Sequence, residues 1–345
     1  MQLPQRRGPI SAAVARALEG EPVSADSLRG SATWPQPGQD ATDVLENDDL
    51  QLALWMLYEL HYRGFDEVDD AREWDPALLA LRAALEAPFE TALRALAASH
   101  VAAALGAASD DVVRQLELVT ESDDGPSLAK YVQRSATREQ FAEFLVHRSL
   151  YHLKESDPQS FVIARMEGAP KAALVELQYD EYGGGRPERL HATLFAAALE
   201  AAGLDSTYAS YVDVVPGYTL AVNNAMSLFS LHRRLRGAAL GHLTAFEMTS
   251  SVPCRRFSSG IRRLGLGEQV AHYFDEHVEA DAVHEQVAAR DICGGLLRAE
   301  PSLREDVLLG AAVCVHLDAL VAQRTLDAWE SGGSTLLGND EGAVA

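Results

Sequence analysis

Apolar residues recur three and four positions apart through most of the chain, and this spacing predicts helices rather than strands. The first long stretch with this pattern is LENDDLQLALWMLYELHYRGF at 45–65, and Gly64 ends it. After a loop that contains Trp74 and Pro76, PALLALRAALEAPFETALRALAASH at 76–100 repeats the pattern. Two amphipathic helices are therefore expected before residue 101.

Beyond residue 126 the helical spacing of apolar residues resumes and continues through most of the chain to residue 330. It is visible in six segments, at 138–158, 171–182, 186–204, 216–251, 267–297 and 304–330. Strand signals are few and no repeat of fixed period occurs, so the pattern predicts an all-α bundle of about seven helices. The stretch 216–251 is expected to form one long helix or a kinked pair.

Changes in composition divide the chain into four predicted regions. Residues 1–45 are rich in Gly, Pro, Ser and Asp and are expected to form a flexible tail, with one short helix near SAAVARALEG. Residues 46–125 form an accessory helical region that ends at the ESDDGPS break, 126–330 form the bundle, and 331–345 form a second flexible tail.

The net negative charge of the chain argues against some classes of binding partner. A formal net charge of −22 makes nucleic acid and anionic lipid surfaces unfavourable partners. The three cysteines form no CxxC pair, which suits a reduced cytoplasm, and no segment approaches an apolar membrane span. A cytoplasmic protein that acts on a small molecule is therefore expected, and the helices of 46–120 offer a surface on which a homodimer could form.

Three polar residues share one stripe of the predicted helix AHYFDEHVEADAVHEQ at 271–286. His277, Asp281 and His284 lie at positions i, i+4 and i+7, almost above one another. Two imidazoles and a carboxylate within two turns are ligand types that suit iron, manganese or zinc. The alternative interpretation is a solvated acidic face, since four further acidic residues neighbour the stripe: Asp275, Glu276, Glu279 and Glu285.

Three more candidates come from other helices. Glu181 precedes a GGGRP connection that can turn the chain and bring it towards His191, and Glu247 lies in an apolar helix between Phe246 and Met248. Glu247 needs either a metal ion or an arginine partner such as Arg233, Arg234 or Arg236. With the stripe, the set contains three carboxylates and three imidazoles, too many for one tetrahedral zinc ion and suited to two metal ions that share a carboxylate.

Taken in order, these motifs resemble those of the heme-oxygenase-like diiron oxidases and oxygenases, the iron-containing redox enzyme family. The resemblance covers roughly 130–325 and is carried by DEYGGGRPERLHATLF, FEMTS and the His–x3–Asp–x2–His stripe. It implies a heme-oxygenase-like bundle with an N-terminal helical extension, two iron ions (manganese is an alternative) and O₂ as co-substrate. It also implies one further carboxylate ligand, for which Glu155 is the candidate.

The chemistry implied by the resemblance is oxidation of an amino-acid-like or fatty-acid-like substrate, by N-oxygenation, C–C cleavage or desaturation. Two alternatives remain open at this point. A ferritin-like diiron protein would use Glu188 with His191 as a Glu–x2–His pair. A metal-free helical enzyme or scaffold of the same fold would instead make a cysteine the candidate nucleophile, from among Cys254, Cys293 and Cys314.

Overall fold

Every regular element that the computed structural model describes is helical, as the spacing of apolar residues predicts. The structure describes residues 1–121 and 125–338, and for 279–283 it describes the helical backbone but not the side chains. The all-α prediction is therefore confirmed. The carboxylate of Asp281 lies outside the described part of the chain.

Six helices precede residue 122. They are α1 (Pro9–Leu18), α2 (Ala25–Arg29), α3 (Ala41–Leu45), α4 (Asp48–Glu59), α5 (Pro76–Leu105) and α6 (Val112–Glu121), with a short 3₁₀ turn at Asp70–Trp74. Helix α1 packs against α4, and α4 packs against a helix of the predicted bundle, Gly217–Leu231. The N-terminal helices thus form part of the main helical body.

The expectation of a flexible tail over 1–45 differs from the structure. Ile10, Val14 and Leu18 are fully buried on one face of α1. Asp49 accepts hydrogen bonds from the backbone amides of Ile10 and Ser11, at 2.8 and 2.7 Å. The short helix expected near SAAVARALEG is α1, and its apolar residues with four-residue spacing pack it against α4, which the polar composition of the region did not indicate.

The remaining helices form the predicted bundle. They are α7 (Leu128–Arg134), α8 (Arg138–His152), α9 (Asp157–Ile163), α10 (Gly168–Glu181), α11 (His191–Ala201), α12 (Gly217–Leu231), α13 (Arg236–Leu264), α14 (Glu268–Gln286), α15 (Gly294–Ala299) and α16 (Arg304–Glu330). A π-helical segment, Val287–Cys293, joins α14 to α15, and short 3₁₀ turns occur at Gly183–Gly185, Pro187–Arg189, Arg233–Leu235 and Pro301–Leu303. The predicted stretch 216–251 therefore divides at His232 into two helices.

Helix α13 lies at the centre of the bundle, where it packs most extensively against α16 and α14. Two glycines allow the backbones of α13 and α16 to touch. A Cβ atom on Gly241 would lie 1.8 Å from the carbonyl oxygen of Val307, and one on Gly310 would lie 1.9 Å from that of Ala238. This crossing fixes the height of α13 in the bundle and with it the position of Glu247.

The segment that follows α16 is also docked, although 331–345 is predicted to be a flexible tail. Thr335 contacts His147 and Glu143, and its backbone amide donates to the Glu143 carboxylate at 2.8 Å. Leu336 is buried, and the amide of Leu337 donates to the carbonyl of Val214 at 2.7 Å. Residues 339–345 lie outside the described part of the chain.

The boundaries predicted at 45, 125 and 330 stay predictions. The main hydrophobic core includes residues from both sides of the first two, among them Leu18, Leu116 and Phe229. A second core, centred on Phe141, Phe144, Phe257 and Phe274, lies beside it. No helix within the described residues combines the length and apolarity that crossing a membrane requires.

Helix α13 also carries a buried histidine whose protonation opposes folding. Burial lowers the pKa of His242 to about 4. Because the folded-state pKa lies below that of the unfolded chain, unfolding takes up a proton below pH 6.5, and stability falls as the pH drops from there towards 4. Between pH 7 and pH 5 we expect this histidine alone to cost about 2 kcal/mol of stability.

The measurement is urea unfolding of the protein and of its His242→Leu variant at both pH values. The variant is expected to lose less stability on acidification, by roughly that 2 kcal/mol. Equal losses in the two proteins would show that His242 does not contribute to acid sensitivity.

Candidate metal centre

Six buried side chains from separate parts of the chain converge in the bundle and form two groups of three. The first group contains Glu155, His191 and His277, and the second contains Glu181, Glu247 and His284. Within each group, one potential ligand atom from each residue lies within 4.8 Å of the others. The two groups are named here the Glu155 group and the Glu181 group.

The two groups adjoin one another. The Nδ1 atom of His191 lies 3.0 Å from Oε2 of Glu181, which belongs to the other group. In the Glu181 group, Nδ1 of His284 lies 3.5 Å from Oε1 of Glu181 and 3.5 Å from Oε2 of Glu247. Glu181 thus contacts both groups, which is the position a shared carboxylate would take.

The local sequence explains how Glu181 and His191 meet. Glu181 is the last residue of α10, and the three glycines that follow all have positive φ values, between 62° and 78°. The connection is tight, since a Cβ atom on Gly183 would lie 2.6 Å from the carbonyl carbon of Arg189. The chain therefore reverses direction within a few residues and returns His191 as the first residue of α11.

Hydrogen bonds orient the ligand atoms of the Glu155 group. Nδ1 of His277 lies 2.7 Å from the carbonyl oxygen of Tyr273, and donation to that carbonyl leaves the lone pair of Nε2 facing Glu155, whose Oε1 is 3.6 Å away. The hydroxyl of Tyr273 donates to the same carboxylate, at 2.9 and 3.0 Å. His152 adds a further contact, with Nδ1 at 3.1 Å from Oε1 of Glu155.

The carboxylates of Glu155 and Glu181 are held in the charged form. Burial alone would raise the pKa of Glu155, but His152 and His277 outweigh it and hold that pKa well below its usual range. The pKa of Glu181 is lowered in the same way, against the effect of burial, by His191. Ionised carboxylates are the form that coordinates metal ions.

The chemistry of the donor set fits a pair of divalent metal ions. Three carboxylates crowded into a desolvated interior repel one another, and the imidazoles offset this charge only if they take up protons. Two divalent cations would satisfy ionised carboxylates and neutral imidazoles together. Nitrogen and oxygen donors of this kind suit iron or manganese.

The structure places the sequence-predicted residues as follows. Glu155, Glu181, His191, Glu247, His277 and His284 are brought together, and the side chain of Asp281 lies outside the described residues. Glu188, the ligand of the ferritin-like alternative, is exposed to solvent. Two of the arginines suggested as partners of Glu247 pair elsewhere, Arg234 with Glu90 and Arg236 with Glu300.

Two residues that contact the site are not among the ligands predicted from the sequence. His152 contacts Glu155, and the spacing His–x2–Glu at the end of α8 is the sequence signal for this contact. Tyr273 packs in the second core while its hydroxyl reaches Glu155.

Comparison with known proteins agrees with this architecture. The family model described as iron-containing redox enzyme matches residues 142–319, about half of the chain. The chain therefore belongs to the iron-containing redox enzyme family, which makes it an oxidoreductase with a heme-oxygenase-like helical fold. The resemblance drawn from the sequence motifs is confirmed.

Among individual proteins, the chain is similar to the nitrosourea synthase of Streptomyces achromogenes subsp. streptozoticus. The two are 28% identical over 192 residues, which is 55% of this chain and 40% of the relative. The match thus spans well under two thirds of the relative's length.

Proposed function

We propose that the protein is a non-heme diiron oxidase or oxygenase that uses O₂ to oxidise a small organic substrate. The observation that carries this proposal is the pair of adjoining buried ligand groups, each with carboxylate and imidazole donors. One iron ion would be held by Glu155, His191 and His277, and the other by Glu181, Glu247 and His284. Asp281 is proposed as an additional ligand because it shares the helical face of His277 and His284.

The iron pair, when bound, would supply the electrons that reduce O₂. The protein's own residues have separate tasks. Tyr273 and His152 hold the carboxylate of Glu155 in one orientation, and the Tyr273 carbonyl fixes the ring of His277. Such outer contacts keep the ligand atoms in place before the metal binds.

Aromatic side chains keep water away from this region. The ring of His152 packs against Phe195 at a centroid distance of 5.0 Å and against Tyr151 at 5.3 Å. Phe246 lies next to Glu247 in sequence and stacks edge-on against Tyr151. A dry interior strengthens electrostatic interactions within the site and protects reactive species from side reactions.

The substrate is proposed to be amino-acid-like or fatty-acid-like. The relative's name describes the synthesis of a nitrosourea, a product that contains oxidised nitrogen. N-oxygenation is therefore the first reaction to test among those implied by the family resemblance, ahead of C–C cleavage and desaturation. Because the match covers only part of that relative, its substrate is not transferred to this chain.

The alternatives receive less support from the geometry. A ferritin-like ligand set requires Glu188, which faces solvent. A metal-free enzyme with a cysteine nucleophile requires an accessible thiolate, but burial raises the pKa of Cys293 to about 12 and raises that of Cys314 as well. Cys254 is half-buried.

The test is iron content and O₂ consumption after anaerobic reconstitution with ferrous iron. We expect about two iron ions per chain, and O₂ uptake with an absorbance change when air is admitted. The same protein reconstituted with manganese is the matched control, and its O₂ uptake and absorbance after admission of air are compared with those of the iron-loaded protein. Iron well below one ion per chain, without O₂ uptake, would rule out the proposed function.

A further inference from the structure

A four-residue turn, Leu153–Ser156, carries the Glu155 ligand between α8 and α9. The turn is connected at two points to the N-terminal part of the chain, at the end of α4 and in the loop that follows it. Arg63 donates to the carbonyl of Leu153 at 2.8 Å, and Lys154 forms an ion pair with Glu59, the last residue of α4. The residue before the ligand is thus held by a helix that lies far away in sequence.

The ion pair between Glu59 and Lys154 is almost completely enclosed. Their side chains are 0% and 2% exposed, respectively. The second carboxylate oxygen of Glu59 accepts a hydrogen bond from the hydroxyl of Tyr208 at 2.7 Å, and the ammonium group of Lys154 lies 4.1 Å from the ring centre of Tyr62. These contacts give Lys154 a single position.

On the other side of the ligand, Ser156 adopts a left-handed backbone conformation with φ of 68°. A residue other than glycine rarely takes this conformation unless its surroundings impose it. The hydroxyl of Ser156 donates to Oε2 of Glu181 at 3.0 Å, and its carbonyl accepts from the side-chain Nε2 of Gln178 at 2.8 Å. The turn therefore contacts both ligand groups.

We propose that Glu59 is a positioning residue for the metal centre, acting through Lys154 on the turn that carries Glu155 and Ser156. This inference rests on the proposed function of the site. Glu59 lies outside the matched segment 142–319, so the N-terminal helices contribute to the centre as well as to the core.

A role in stability alone gives a weaker account of this pair. An enclosed ion pair contributes little net stability compared with apolar residues of similar size, because both charges lose their hydration. What such a pair does provide is a defined geometry, and here the geometry belongs to the residue adjacent to a ligand. Removing Glu59 alone leaves the buried charge of Lys154 uncompensated and lowers stability too, so metal affinity has to be measured separately from stability.

The experiment compares Glu59→Gln with a matched control, Glu86→Gln. Glu86 is also buried, also accepts a hydrogen bond from a tyrosine hydroxyl (Tyr58, 3.0 Å), and also joins the N-terminal helices to the bundle through His232, at 2.9 Å. It makes these contacts away from the Leu153–Ser156 turn. Each protein is titrated anaerobically with Co²⁺ and followed by visible absorption, and the melting temperature of the metal-free form is recorded.

We expect Glu59→Gln to bind Co²⁺ about tenfold or more weakly than the unmodified protein, with an altered absorption spectrum. Glu86→Gln is expected to keep the affinity and spectrum even if its melting temperature falls. Tyr208→Phe, which removes only the hydrogen bond to Glu59, is a milder second variant and should show a smaller loss in the same direction. It keeps the test decisive if Glu59→Gln does not fold.

Equal Co²⁺ affinities for the unmodified protein and the Glu59 and Tyr208 variants would overturn the positioning role while leaving the proposed function intact. The same conclusion follows if Glu86→Gln weakens binding as much as Glu59→Gln. Failure of the unmodified protein to bind Co²⁺ would instead contradict the proposed metal centre itself.

Discussion

Replacing Glu181 by alanine is expected to remove most of the bound iron and abolish O₂ uptake. Glu181 contacts His284 of its own group and His191 of the other, so its loss affects both groups. It would also leave buried imidazoles without the carboxylate that faces them. Loss of one metal ligand or its supporting carboxylate weakens metal binding by about 10–100-fold or more. Metal analysis after reconstitution and gel filtration measures the effect.

Glu188→Ala provides the matched control, since Glu188 lies seven positions further along the same connection and is exposed. It is expected to retain iron and activity at the level of the unmodified protein. Iron loss in Glu188→Ala with retention in Glu181→Ala would favour the ferritin-like ligand set and contradict the proposed one.

Gly310→Ala is expected to destabilise the protein severely or prevent it from folding. The added Cβ atom would meet the backbone carbonyl of Ala238 on α13, and neither backbone can move without separating the two central helices. Overpacking at such a crossing should cost about 3 kcal/mol or more in the free energy of unfolding. Chemical unfolding followed by circular dichroism measures this cost.

Gly30→Ala is the control substitution, because Gly30 has an ordinary backbone conformation and a Cβ atom there would find its nearest neighbour at 3.6 Å. It should change the unfolding free energy by less than about 1 kcal/mol. If Gly310→Ala unfolds at the same denaturant concentration as Gly30→Ala, the close contact of α13 and α16 is wrong.

The candidate site was predictable to the extent that its residues follow helical periodicity. His277 and His284 share one face of α14, and both are buried at the centre. Glu247 stood out because a carboxylate between apolar neighbours needs a partner, and the structure places His284 at 3.5 Å. The shared helical face of the two histidines and the apolar neighbours of Glu247 can each be recognised from the sequence of a single helix.

The residues that the sequence did not reveal depend on contacts between distant segments. Tyr273 and Glu155 are 118 positions apart, and the hydroxyl of Tyr273 reaches that carboxylate because α8 and α14 meet in the second core. The position of the Glu59–Lys154 pair depends in the same way on where α4 docks. The periodicity of apolar residues within one helix does not indicate which residues of another helix it will contact.

The docking of the N-terminal helix α1 also depends on a contact between distant segments. The composition of residues 1–45 is typical of a tail, yet α1 needs only Ile10, Val14 and Leu18 to fill a groove beside α4. A short helix that gains its stability from a neighbour shows little of it in its own sequence. The spacing over 216–251 predicts α12 and the first part of α13, but α13 continues through Pro253 to Leu264, and both this continuation and the division at His232 required the structure.

The shared hydrophobic core has a consequence for how this protein can be subdivided. Apolar side chains of α1, α4 and α5 are enclosed together with those of α12, α13 and α16. A fragment cut to the family-matched residues 142–319 would present much of that enclosed surface to water and would tend to aggregate. The helices before residue 122 thus share one hydrophobic core with the bundle, and exchanging them between homologues would require redesign of the surface against which they pack.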